Sequence, residues 1–138
     1  MVPVDGSQAS LEAVAFASDI ARKNKGKVYV LHVIEVKRTL PLDAQLSPEA
    51  GAGEEMLAEA ERVGREHKVD VEGEILQARE AGHAIIDEAL ERDVDLIVVG
   101  TEHSDNNGQY QLGRVAPYIL STAPCEVWIW RHSPRRSI

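Results

Sequence analysis

Gly100, Thr101, Gly113 and Arg114 are the residues best placed by type and spacing for chemistry. An apolar run, Val94 to Thr101, ends at a glycine and opens into a polar loop, Thr101 to Leu112. Gly113 then precedes a short apolar stretch that begins at Arg114. Strand, glycine, loop, glycine, helix is how an open α/β sheet builds an anion site at the carboxyl ends of its strands. Small residues let backbone N–H groups approach the anion, and the helix start adds a positive field. Arg114 contributes a guanidinium, a bidentate binder of phosphate. A cation in a first helical turn opposes the helix dipole, which argues for an anionic neighbour. Asp5, in the turn Asp5-Gly6-Ser7, is a second candidate: it either holds a polar group of a ligand or closes an Asx-turn.

Other chemistries find less. His32, His67, His83, His103 and His132 are dispersed, and no pair has metal-ligand spacing on one helix. Ser7 and Ser104 stand in no G-x-S-x-G context. Cys125 follows Pro124 at a strand start and reads as packed rather than reactive. No acid–base pair is visible, so no catalytic residue is assigned.

The elements that must position these residues alternate. Val2-Pro3-Val4 reads as a very short strand, and Ser7 or Ser10 caps a helix over Ser10 to Lys23. That helix buries Ala13, Phe16, Ala17 and Ile20 and ends with Gly26 left-handed. Lys27 to Val36 is a near-continuous apolar strand. Lys37 to Gly53, with Pro41, Pro48, Gly51 and Gly53, reads as a loop. A helix follows over Glu54 to His67. Val69 to Leu76 alternates like an edge strand, and Gly82 to Arg92 is a helix burying Ile85, Ile86, Ala89 and Leu90. After the central run come a helix over Arg114 to Ser121 and a last strand, Glu126 to Arg131. This order predicts one α/β domain over residues 1–138, with 131–138 as a loose tail. Its core is a single doubly wound, five-stranded parallel sheet of order 3-2-1-4-5, with helices on both faces. Asp5 and Gly100 then meet at the switch point between the first and fourth strands.

Composition bounds the rest. One domain of 138 residues with 43% apolar and 28% charged residues is globular. A formal net charge of −8 disfavours nucleic acid and anionic membrane surfaces as partners. No segment is long and apolar enough to span a bilayer. The single cysteine precludes an intrachain disulfide and fits a reducing compartment, so a cytoplasmic location is expected.

Five stretches in order resemble the universal stress protein family: Val2-Pro3-Val4-Asp5-Gly6-Ser7, Leu31-His32-Val33-Ile34, Asp95 to Thr101, Leu112-Gly113-Arg114-Val115-Ala116 and Ala123-Pro124-Cys125-Glu126-Val127. Each alone is weak; their joint order and spacing are specific. The resemblance implies an adenine-nucleotide alpha-hydrolase-like fold and a site for ATP or another adenine nucleotide, with Mg²⁺ only if ATP is bound. ATP-binding members carry glycine, two residues, glycine, nine residues, then glycine and Ser or Thr. Gly100 matches the first position and Gly113 the third. His103 stands at the second glycine, and Arg114 replaces the hydroxyl residue. Glu102 adds negative charge beside the loop. The implied nucleotide set is Pro3, Asp5 and Val33, with Asp5 and Val33 against the adenosine, and Gly100, Thr101, His103, Gly113, Arg114 and Val115. Slow ATP hydrolysis is the most such a site implies.

Trp128 and Trp130 lie two apart on the last strand and face the same side. They either pack in the core or form an association surface. A terminal edge strand leaves N–H and C=O groups unpaired. The family commonly dimerises through this strand, which implies a homodimer through Val127, Trp128, Ile129 and Trp130. Two functional readings follow: a regulatory nucleotide-binding dimer in a stress response, or a nucleotide-free dimerising module. The first strand begins directly after Met1, which suggests a piece of a longer polypeptide, such as the soluble part of a transporter, or a few missing leading residues.

Overall fold

Apolar β-runs alternating with amphipathic helices can bury both only by layering helices against a parallel sheet. The computed structural model, which describes residues 1–102 and 113–133, has this arrangement. In order come β1 (Val2–Pro3), α1 (Gln8–Asn24), β2 (Val28–Glu35), α2 (Ser47–Glu66), β3 (Val71–Ala78) and α3 (Ala81–Glu91). Then follow β4 (Leu96–Thr101), α4 (Val115–Thr122) and β5 (Glu126–Arg131). Every strand pair is parallel.

The strands form two sheets, β1-β2-β3 and β4-β5, and not the single five-stranded sheet of order 3-2-1-4-5. Pro3 supplies a physical reason. At the seam the Met1 ammonium donates to Leu96 O at 2.7 Å, and Val98 N–H donates to Met1 O at 3.0 Å. The next donor toward β4 would be residue 3, and proline has no N–H. Val2 and Val4 point their N–H groups the other way, as Val4 N–H to Leu31 O at 2.9 Å records. β1 therefore ladders with β2, while its bonding to β4 stops at the two Met1 hydrogen bonds.

Strand alternation feeds two cores. Val2, Val28, Val30 and Val98 face α1 and α2, meeting Ala13, Val14, Ala17, Leu57, Ala60 and Val63. Leu31, Ile97 and Val99 face α3 and α4, meeting Ile85, Ile86, Ala89, Ala116 and Ile119. Helices thus cover both faces, as the continuous apolar runs of β2 and β4 require.

Local expectations change in several places. α2 begins at Ser47, inside the expected loop, because Pro48 sits in its first turn where the missing N–H has no partner to lose. Gly53 belongs to that helix: a Cβ there would lie 3.0 Å from both His32 and Ile75. The left-handed residue after α1 is Lys25, at φ 55°, and not Gly26. Ser7 is its cap, its Oγ accepting from Ser10 N–H at 3.1 Å. Leu90 is 59% exposed rather than buried, since Ala89 takes the inward position of α3.

Candidate functional site

The carboxyl ends of β1 and β4 lie side by side, and the chain leaves them on opposite faces. After β1 it turns through Asp5 and Gly6, at φ 86°, into α1. The divergence opens a cleft of about 570 Å³. Pro3, Asp5, Val33, Gly100, Thr101, Gly113, Arg114 and Val115 all line it. His103 lies outside the described residues.

Each element delivers its side chains for a local reason. Gly100 carries the close approach of β4 to α1: a Cβ there would stand 2.4 Å from Ala9 O. Its requirement is backbone packing, with or without a ligand. Gly113 adopts φ 71°, left-handed, with no described atom within 4 Å of where a Cβ would stand, so the backbone reverses into α4 where glycine is favoured. Arg114 is exposed, and α4 has no side-chain cap at that position. Asp5 Oδ1 accepts from Ser7 N–H at 2.9 Å, so the Asx-turn reading holds, while its carboxylate still lines the cleft. Val33, from β2, and Ile85, from α3, make the apolar wall.

Ser7, His32 and Glu102 also line the cleft and were not assigned to it from sequence. His32 is a polar residue inside an apolar run, a signal worth following. Its Nδ1 stands 2.8 Å from Val4 O, a carbonyl that can only accept, so Nδ1–H is the donor. Glu102 Oε1 accepts from Gln8 N–H, the first residue of α1, at 3.0 Å. That pairing joins two ends of the chain, and no local pattern announces it.

Behind the cleft, Thr101 O accepts from His132 N–H at 2.8 Å. His132 Nδ1 stands 2.7 Å from Glu12 Oε2, and the Trp130 indole N–H donates to Glu12 Oε1 at 2.9 Å. Partial burial works to raise the Glu12 carboxyl. The hydrogen bonds from Trp130 and His132 together outweigh it and hold Glu12 below its ordinary 4.5. The end of β5 is thereby tied to α1 and to the cleft floor.

The tryptophans are shared between core and surface. Trp128 and Trp130 both pack on Phe16, with ring centroids 5.4 and 5.1 Å away, so they do face one side. Trp128 nevertheless stays 39% exposed. Val127 and Ile129 turn to the opposite core. β5 pairs with β4 along one edge, and no described strand pairs with its other edge.

Comparison with known proteins agrees with this geometry. A family model described as the universal stress protein family matches residues 1–131. A universal stress protein of Methanocaldococcus jannaschii is 31% identical over 135 residues, covering 94% of this chain and 79% of that protein. The structure of a universal stress protein from Archaeoglobus fulgidus is similar with a TM-score of 0.79 and 25% identity, covering 92% of this chain and 93% of that one. A universal stress protein from the same organism in complex with dAMP is similar with a TM-score of 0.73 and 23% identity, covering 92% of each chain.

Proposed function

The chain belongs to the universal stress protein family, and on that premise we propose that its cleft binds an adenine nucleotide as a regulatory ligand in a stress response. Pro3, Asp5 and Val33 hold the adenosine side. Gly100, Thr101, Gly113, Arg114 and Val115 form the phosphate side, with His103 completing the proposed loop and Mg²⁺ entering only with ATP. One observation carries the reading: every described member of the sequence-derived set lines a single cleft, at the strand ends where such sheets bind ligands. The Archaeoglobus complex with dAMP supports the adenine class. Turnover has no assigned residue, so the proposed role is binding. We also propose a homodimer through β5, acting in the cytoplasm.

The test is isothermal titration of nucleotide-stripped protein with adenosine, AMP, ADP and ATP, each with and without Mg²⁺. Saturable heat that disappears in Gly113→Val is expected, because valine is strained at φ 71°. No heat from any adenine ligand at millimolar concentration would overturn the reading. A nucleotide-free dimerising module would then stand, favoured by the carboxylates of Asp5 and Glu102 that face the cleft beside Arg114.

A further inference from the structure

Two helices reach the cleft with a carboxylate of this chain already on their first N–H. Gln8 N–H of α1 donates to Glu102 Oε1 at 3.0 Å, and Ala81 N–H of α3 donates to Glu35 Oε2 at 2.9 Å. α1 has no acidic residue in its own first turn. The negative charge its dipole favours comes from Glu102 instead, directly after β4. The close fit of Gly100 beneath Ala9 holds that corner together. Glu102 also lines the cleft itself. α4 differs: among the described residues no side-chain cap bond is made at its start, and Gly113 before it is exposed.

We propose that Glu102 makes this cleft selective for adenine nucleotides with one phosphate over those with two or three. The proposal rests on the adenine-nucleotide reading of the cleft. A single phosphate at the start of α4 meets Gly113 and Arg114, a charge-assisted partner. Glu102 and Gly100 line the same cleft as Gly113 and Arg114, so further phosphates that extend across it approach the corner of β4 and α1. There they find the Gln8 N–H taken and a fixed carboxylate beside it. An anion entering that corner breaks the Glu102 hydrogen bond and sits next to a like charge. Among the described lining residues Arg114 is the only Lys or Arg, against the carboxylates of Asp5 and Glu102. Nothing there offsets the added phosphates.

Titration of the full chain with adenosine, AMP, ATP and Mg²⁺-ATP tests this, with Glu102→Gln as the variant. Glutamine keeps an acceptor for Gln8 N–H and removes the charge. The wild type is expected to bind AMP about tenfold more tightly than ATP, a gap that shrinks as salt rises. Glu102→Gln should tighten ATP by about the same factor and leave adenosine unchanged. Thermal melts verify that both proteins are folded. Equal AMP and ATP affinity in the wild type, or an unchanged ratio in the variant, overturns the selectivity while nucleotide binding survives. Loss of Mg²⁺-ATP binding in Glu102→Gln also overturns it, by making Glu102 a metal ligand. Silence from every ligand with both proteins removes the nucleotide reading, and the selectivity falls with it.

Discussion

Gly100 shows how one missing side chain can serve the fold before it serves a ligand. Its α carbon lies against the α1 backbone, where no rotamer change can relieve a clash. Gly100→Ala should destabilise by about 3 kcal/mol in urea titration, overpacking against backbone being at the upper end of its usual range. A change below half of that would mean α1 can retreat. Arg114 is the opposite case: exposed, uncapped, and without a structural task in the described residues. Arg114→Ala should leave stability within about 0.5 kcal/mol and weaken AMP about tenfold, with adenosine unaffected. Equal losses for AMP and adenosine would place Arg114 on the nucleoside instead. Burial pushes the Cys125 thiol up from its ordinary value. Native protein should therefore react with a thiol reagent more slowly than unfolded chain.

At the scale of elements, the split sheet is a property of β1. Pro3→Ala restores an N–H aimed at Val98 O. Hydrogen exchange should show that new amide protected, yet global stability should barely rise. The gained hydrogen bond is worth about 1 kcal/mol, and losing proline frees the unfolded chain by a similar amount. An unprotected amide at residue 3 would mean the seam is too wide to ladder. The β5–α1 tie makes a pH prediction. Glu12 titrates below its ordinary 4.5 when folded. Its contribution is fully present above that value and is lost as pH falls through the lower folded value. Unfolding midpoints should therefore drop as pH falls below about 4.5, and Glu12→Gln should flatten that part of the profile.

For the whole molecule, the edge of β5 that no described strand covers and the exposed part of Trp128 bear on assembly. Sedimentation should give a dimer for the wild type and a monomer for Trp128→Glu, which sets a charge in a strand-edge interface. A monomeric wild type at every concentration would remove β5 as the proposed contact. Much of the architecture was legible beforehand. Element order, parallel pairing and helices on both faces follow from apolar runs that leave no wet strand face, as at Leu96 to Val99. The start of α2 was misread because Pro48 and two nearby glycines look like loop residues until the proline falls in a first turn. The single sheet was overdrawn for a reason also printed in the chain, since Pro3 cannot give the bond that continues a ladder.

What the sequence alone determined is what depends on local pattern. Glycine and apolar spacing set the strands, the turn at Gly113 and the meeting of Asp5 and Gly100 at one crevice, and the family resemblance added Val33 to that set. Tertiary structure decided what depends on distant partners. Glu102 meets Gln8 across the cleft corner, Glu12 receives Trp130 and His132, and the tryptophans divide between Phe16 and solvent. These contacts join segments about a hundred residues apart. Periodicity reports only which face of an element is apolar; which side chain waits on the other side is set by how the layers close.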